Sequence, residues 1–189
     1  MRLAQDHPIR CRCGQLRGTV AAGAKFTRAV CYCRDCQAFA AALGSPAGML
    51  DAKGGTDVVA TLPRDVRFSA GAERLACLSL SDRGLLRWYA SCCRSPIGNT
   101  PRNPEMSYVG LLHSSLGREP RDLDAAFGPP TLVTFGQHAT EPVPSRGLRT
   151  VTATAQIAFR LLGTRLDGSW RRTPFFDRDL KPVASPHPP

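Results

Sequence analysis

Seven of the eight cysteines in this 189-residue chain lie in three short clusters. The clusters are Cys11/Cys13, Cys31/Cys33/Cys36 and Cys92/Cys93. Thiolates are good zinc ligands, and cysteines at such short spacings are typical of zinc sites. The eighth cysteine, Cys77, stands alone, and we interpret it as an unliganded core residue, because free cysteine behaves as a small hydrophobe.

The spacing within the clusters suits a tetrahedral metal ion. In a strand, residues i and i+2 lie on the same face, about 6.6 Å apart, whereas two thiolates on zinc lie about 3.8 Å apart. Cys11 and Cys13 therefore supply half a site if both side chains lean inward. Cys33 and Cys36 follow the other common pattern, a tight turn whose backbone N–H groups point at the sulfurs.

The seven ligands divide naturally into four plus three. The first and third clusters would close one structural site that joins the N-terminus to the middle of a sheet. The middle cluster would form a second site with an open fourth position, the position that a catalytic zinc keeps for water or substrate. A thiolate substrate would suit such a soft site. The sequence thus predicts two Zn²⁺ ions, one structural and one labile ion that could be catalytic.

The formal net charge is +10. Four arginines flank the clusters and could neutralise their thiolates: Arg10, Arg12, Arg34 and Arg94. The charge also fits an anionic small substrate, and solubility alone is the alternative. Nucleic acid is not expected as a partner, because the arginines are scattered and are not interleaved with aromatic residues.

The N-terminal residues have no apolar segment typical of a signal peptide. No apolar run approaches the roughly 18 residues that span a bilayer. We therefore expect a cytoplasmic protein with no membrane partner and with reduced cysteines. The length predicts a single domain over residues 1–189, with a zinc-binding β core at about 8–112 and a C-terminal helical extension at about 120–180.

Short β-favouring segments between turn residues predict a mainly β fold of small antiparallel sheets. Strands are expected at 16–20 and 24–30, paired as a hairpin, and at 58–62, 66–69, 76–80, 85–89 and 108–112. A helical turn and a loop are expected over 38–50, and a short helix over 123–127. A C-terminal helix packed on the core is predicted from apolar residues at helical spacing, namely Val151, Ala155, Ala158, Leu161, Leu162 and Leu166. The tail, 182–189, is expected to be frayed or extended.

Three motifs in this order resemble the glutathione-dependent formaldehyde-activating enzyme and centromere protein V family: Cys11-x-Cys13-Gly14, Cys31-x-Cys33-x-x-Cys36, and a cysteine-containing strand end with Ser95-Pro96. The resemblance covers about residues 8–112. It implies an Mss4-like fold, a structural zinc at the first and third clusters, and a labile zinc at the middle cluster. It also implies carbon–sulfur lyase chemistry on a glutathione adduct such as S-hydroxymethylglutathione.

Three positions depart from the pattern of that family. The third cluster is usually Cys-x-x-Cys-Gly, but here Ala90 takes the place of the first cysteine and Arg94 that of the glycine. Cys92 is the obvious substitute ligand, although adjacent ligands on one ion need a bend in the backbone. Cys11, Cys13 and Cys93 are therefore the firmer ligands. Tyr32 stands where histidine is frequent, and Arg34-Asp35 adds charges to the middle motif.

The sequence leaves three functions open. The first is a zinc-dependent carbon–sulfur lyase acting on a glutathione or other thiol adduct at Cys31, Cys33 and Cys36, with Tyr32 and Asp35 the nearest acid–base groups in sequence. The second is a non-catalytic, zinc-stabilised module with a basic surface for an acidic partner, favoured if His113 or His138 completes the middle site. The third, thiol redox chemistry at Cys33-x-x-Cys36, lacks the expected βαβ context.

Overall fold

A computed structural model describes residues 1–45, 48–117, 120–144, 155 and 159–188, and the fold is mainly β, as predicted. Within these ranges the chain forms ten strands in two sheets. In chain order they are β1 His7–Arg10, β2 Arg17–Val20, β3 Thr27–Cys31, β4 Thr56–Thr61, β5 Val66–Ala70, β6 Leu75–Leu78, β7 Leu86–Ala90, β8 Ser95–Thr100, β9 Val109–Leu112 and β10 Leu132–Thr134.

A three-stranded antiparallel sheet, β1-β2-β5, packs on one face of a seven-stranded sheet. The larger sheet has the order β10-β3-β4-β9-β8-β7-β6 and is antiparallel except for the β10–β3 pair. Alternate side chains of each strand point to the same face, and the main core forms between the sheets. Ile9, Leu16, Trp88, Ile97 and Leu111 are buried in it.

Helix α1, Arg34–Ala42, covers the opposite face of the larger sheet. Its apolar residues Phe39 and Ala40 pack with Val58, Leu78 and Leu112. The helix begins within the middle cysteine cluster, with Cys33 as its N-cap and Cys36 in its first turn. Two shorter helices follow β9, α2 His113–Leu116 and α3 Pro120–Phe127. None of the helices among the described residues is long and apolar enough to cross a bilayer.

One end of the seven-stranded sheet gathers the chemically active residues. Cys31 ends β3 and is the Cα partner of Thr56, where β4 begins, and of Thr134, where β10 ends. The antiparallel register places the end of β9, the start of β8 and the end of β7 at the same end of the sheet. Since the turn between β7 and β8 carries Cys92 and Cys93, sheet pairing brings distant cysteine clusters to a common end.

Most predicted strands are present, but the predicted hairpin at 16–20 and 24–30 is wrong. Strand β2 pairs with β1 and β5, whereas β3 pairs with β4 and β10 in the other sheet. The connection between them buries Ala24 and Phe26, and the left-handed conformation of Gly23 lets the chain turn from one sheet to the other. The predicted helical turn after residue 38 is a longer helix that already begins at Arg34.

The C-terminal helix is present, and its described part consists of Ala155, which is exposed, and of α4, residues 159–166. The prediction that the whole apolar stripe packs on the core is wrong. Leu162 and Leu166 are 55% and 81% exposed, whereas Thr164 is buried. Val151 and Ala158 lie outside the described residues.

The tail is extended rather than frayed. His187 exchanges backbone hydrogen bonds with the edge of β6, to the carbonyl of Cys77 at 3.2 Å and from the N–H of Ser79 at 2.9 Å. Its ring also forms a 2.8 Å hydrogen bond with the hydroxyl of Tyr89. The tail therefore covers a sheet edge that would otherwise expose unpaired backbone groups.

Candidate metal centres

The first and third cysteine clusters meet at the β7–β8 turn. The Sγ–Sγ distances are 3.5 Å for Cys11–Cys13, 3.3 Å for Cys13–Cys92 and 3.9 Å for both Cys11–Cys92 and Cys92–Cys93. All four sulfurs lie within 4.8 Å of one another. Such separations are close to the about 3.8 Å between thiolates on tetrahedral zinc and far from the about 2.05 Å of a disulfide. The group can therefore hold a metal ion, and Cys92 belongs to it.

A tight turn supplies the bend that adjacent ligands need. The N–H groups of Cys93 and Arg94 both donate to the carbonyl of Ala90, at 3.3 and 2.8 Å. Arg94 has a φ of 55°, in the left-handed region that glycine adopts most easily. Its guanidinium donates to the carbonyl of Ala42 at the end of α1. Arg94 therefore adopts the left-handed conformation that this turn requires and fastens the turn to α1.

Polar groups beside Cys11 and Cys93 favour thiolate at these two sulfurs, although burial still raises the pKa of Cys11, and burial and the neighbouring sulfurs raise that of Cys92 to about 12. The N–H of Leu16 donates to the Cys11 sulfur at 3.3 Å. The Ser95 hydroxyl accepts from the N–H of Arg12, so its own proton is free to bond the Cys93 sulfur 3.1 Å away. Burial opposes ionisation of Cys93, but the hydrogen bonds from Ser95 and from backbone N–H groups lower its pKa to about 6.

The middle cluster forms a separate group of three. Cys31 ends β3, Cys33 is the N-cap of α1 and accepts from the N–H of Cys36 at 3.3 Å, and Cys36 lies in the first helical turn. The three sulfurs lie within 4.8 Å of one another, and no histidine, acidic residue or further cysteine of the described ranges joins them. This group can hold a metal ion with three protein ligands.

Without metal, these three sulfurs share their protons. Hydrogen bonds from Cys33 and Cys36 lower the pKa of Cys31 to about 2, and the neighbouring sulfurs raise the pKa of Cys36 far above its usual value. One thiolate is therefore bonded by two thiols, because three adjacent negative charges would repel one another. A divalent cation would remove that repulsion and take the place of the thiol protons.

A buried arginine that sequence reasoning missed lies beside the middle group. Arg87 is only 2% exposed, and its Nη1 lies 3.8 Å from the Cys36 sulfur and 3.1 Å from Oδ1 of Asn99. Its Nη2 lies 3.3 Å from the Asp35 carboxylate, and its Nε has no hydrogen-bond partner among the described residues. The only signal in the sequence was a charged residue within the apolar segment Leu85–Tyr89.

Tyr108 is a second residue that the sequence did not single out. Its hydroxyl lies over Gly110, since a Cβ built there would be 2.8 Å from it. Gly110 is the Cα partner of Asn99, which bonds Arg87. Burial, and then the negative charge of Cys31 and Cys36, raise the pKa of Tyr108 to about 12. No hydrogen bond of this hydroxyl occurs in the described part of the chain, so it is a free donor within electrostatic reach of Cys31 and Cys36.

The residues predicted as acid–base groups or as a fourth ligand of the middle group are each held by other contacts. Tyr32 donates to the Asp51 carboxylate at 3.0 Å, and Asp35 is paired with Arg87. His113 bonds the carbonyl of Asp57 at 3.1 Å, and His138 stacks on Phe135. Neither histidine completes the middle group within the described residues. As predicted, Cys77 is a buried core residue outside both groups.

Residues 3–186 match the profile of a family described as "Family of unknown function (DUF6151)". A crystal structure of a Rhodobacter sphaeroides protein, a structural-genomics target, is 22% identical with a TM-score of 0.44, covering 67% of this chain and 98% of that one. No curated protein matches the chain. These matches do not confirm the resemblance to the formaldehyde-activating family, which stays a prediction. The chain belongs to DUF6151, a family of unknown function.

Proposed function

We propose that this protein is a zinc-dependent carbon–sulfur lyase whose middle cysteine group receives the sulfur of a small thiol adduct. The observation that carries the proposal is the difference between the two groups. Four sulfurs surround one position, whereas three surround the other, and no fourth ligand from the described residues reaches it. Zinc sites with three protein ligands and an open position are typical of catalysis, and closed four-ligand sites are typical of structure.

The donor set fits zinc. Cys31, Cys33 and Cys36 would hold the ion, and soft thiolates favour zinc over hard cations such as magnesium. When bound, zinc would lower the pKa of a thiol at the open position and stabilise the thiolate. The second zinc, held by Cys11, Cys13, Cys92 and Cys93, would be structural.

Arg87 supplies positive charge to this site. Three thiolates and one Zn²⁺ carry a net charge of −1, and a thiolate ligand would make it −2. The guanidinium beside Cys36 offsets part of that charge, in a buried position where water screens little. Asp35 holds the guanidinium from the other side, and its side chain is 58% exposed, so water screens its negative charge. An anionic sulfur ligand is thereby favoured.

Tyr108 supplies a hydrogen-bond donor for the substrate. Breakdown of a hemithioacetal transfers the hydroxyl proton to solvent water, converts the carbon–oxygen bond to a carbonyl and leaves the carbon–sulfur electron pair on sulfur as a thiolate. The oxygen is next to the sulfur-bearing carbon, and a donor near the sulfurs can stabilise its negative charge. Because its pKa is raised to about 12, the Tyr108 phenol keeps its proton at neutral pH.

The glutathione adduct of formaldehyde is the substrate to test first. Exchange between glutathione, formaldehyde and S-hydroxymethylglutathione is measured by exchange NMR with zinc-loaded protein. We expect faster exchange than in buffer, loss of the effect in Cys33→Ser/Cys36→Ser, and retention in Cys77→Ala. In Tyr108→Phe the acceleration falls by about 10²-fold, the usual effect of losing one hydrogen-bond donor to a developing oxyanion.

Binding is measured in parallel, because a module without catalysis is the competing function. Cobalt(II) in place of zinc reports a new sulfur ligand through its visible spectrum. If thiols bind the cobalt-loaded middle group but no adduct is turned over, the non-catalytic module is favoured. If no thiol changes the spectrum, the proposal is refuted.

A further inference from the structure

A basic cleft lies outside the middle cysteine group. It has a volume of about 1040 Å³ and is bounded by β1, β2, α2 and α3. Cys11 and Cys13 of the closed group line one wall. The charged residues of its lining are Arg10, Arg12, Arg17 and Asp122, with His7 and His113 beside them. Among the described lining residues three arginines stand against one aspartate, so the ionisable side chains are net positive before the thiolates and metal of the closed group are counted.

Two of these arginines stand directly opposite each other on neighbouring strands. Arg10 and Arg17 are Cα partners across β1 and β2, so their side chains leave the same face of the sheet about 5 Å apart. Like charges directly opposite each other destabilise a strand pair. Neither arginine has an acidic partner in the described ranges. An oxyanion between the two guanidinium groups would remove this repulsion and accept hydrogen bonds from both.

The wall of the cleft holds further donors. The hydroxyl of Ser114 is buried and has no hydrogen-bond partner in the described part of the chain. Buried hydroxyls in proteins nearly always have a hydrogen-bond partner. The unpaired Ser114 hydroxyl is therefore available to a ligand or a water molecule. Arg12 is fixed at the other side, because its guanidinium donates to the carbonyl of Cys93 at 3.2 Å. Fixed donors around a cavity are the usual features of a small-molecule site.

We propose that this cleft binds a small molecule bearing a doubly charged oxyanion, either a phosphate group or a pair of carboxylates. Arg10 and Arg17 take the charged group together, and Arg12 and Ser114 contact the rest of the ligand. The proposal is independent of metal chemistry at the middle cysteine group. The competing explanation is that the three arginines only neutralise the thiolates of the closed cysteine group.

Titration calorimetry separates these explanations, with inorganic pyrophosphate and glutarate as the two probes. The test variant is Arg10→Gln/Arg17→Gln. The matched control is Arg83→Gln/Arg178→Gln, which removes two other exposed arginines and changes the net charge equally. We expect at least one probe to bind the wild type and the control. Binding to the test variant should be weaker by at least about 30-fold, as expected for the loss of two charge-assisted hydrogen bonds.

Zinc content and thermal unfolding complete the test. The ligand-free test variant should keep its zinc and unfold at or above the wild-type temperature, because the like-charge pair is gone. Binding of pyrophosphate alone assigns a phosphate ligand, and binding of glutarate alone assigns a dicarboxylate. The proposal is overturned if neither probe binds the wild type, if test and control variants bind equally, or if the test variant loses zinc.

Discussion

Replacing Arg87 by methionine tests the electrostatics of the middle cysteine group. The substitution keeps most of the apolar contact with Phe39, whose ring centroid lies 5.6 Å from the guanidinium carbon. It removes the positive charge whose Nη1 lies 3.8 Å from the Cys36 sulfur. We expect zinc to leave the middle group more easily and the structural group to be unaffected.

The expected magnitude follows from the distances. At an effective dielectric constant of about 20, two unit charges 3.8 Å apart interact by about 4 kcal/mol. Asp35, 3.3 Å from the same guanidinium, already offsets part of that charge, and we take about half of the energy as lost. A loss of about 2 kcal/mol corresponds to a zinc dissociation constant raised about 30-fold.

The assay is competition between the protein and a chromophoric chelator, which resolves the two zinc ions by affinity. The tightly held ion of the closed group is the internal control in each titration. Folding stability should fall by about 1–3 kcal/mol, because the buried Oδ1 of Asn99 loses its hydrogen-bond donor, whereas the exposed Asp35 carboxylate stays solvated. A dissociation constant within threefold of wild type for the weaker ion would show that Arg87 does not stabilise zinc at the middle group.

Four further predictions concern the rest of the molecule. Gly110→Ala should lower the free energy of unfolding in urea by about 1–3 kcal/mol, because the new Cβ would lie within 3 Å of Tyr108 and Val58; wild-type stability would contradict this packing. Arg28→Met should cost about 3 kcal/mol in the same assay, since it leaves the Asp57 carboxylate, 18% exposed, without its partner 2.7 Å away; a loss below about 1 kcal/mol would argue against the ion pair. In a chain ending at residue 184 the free energy of unfolding should fall by about 2 kcal/mol, and light scattering should show faster aggregation, because the backbone groups at the edge of β6 are left unpaired. Unchanged stability and aggregation would show that the tail is not paired with β6. Burial raises the pKa of Cys77 to about 11. Iodoacetamide at pH 8 should therefore modify the clustered cysteines of chelator-treated protein and spare Cys77 until guanidinium unfolds the chain. Modification of Cys77 in the folded protein would contradict its burial.

Residue types and spacing were enough to predict the two cysteine groups. Metal ligation restricts the chemistry to a few side chains, and Cys-x-Cys and Cys-x-x-Cys bring sulfurs together through local backbone geometry alone. Strands β4, β5, β7 and β9 could also be predicted from the sequence, because their β-favouring residues stand between turn residues. The inclusion of Cys92 could not be decided in advance, because it depends on the left-handed turn at Arg94.

The surroundings of the middle group depend on sheet pairing, which the sequence does not display. Arg87 lies 51 positions after Cys36 and meets it only because α1 packs across the face of the larger sheet. Tyr108 joins them through the pairing of Gly110 with Asn99. The hairpin error has the same origin, since β2 and β3 are neighbours in sequence and belong to different sheets. Short-range patterns indicate strands and cannot specify their partners.

The most direct test of the account is the number of zinc ions per chain, measured by native mass spectrometry on freshly reduced protein. Wild type and Cys33→Ser/Cys36→Ser are compared, with Cys77→Ala as a control for the loss of a cysteine outside the groups. We predict two zinc ions in the wild type and the control, and one in the double variant. No zinc in any of the proteins, or a zinc count unchanged by the double substitution, would contradict a metal site at the middle group.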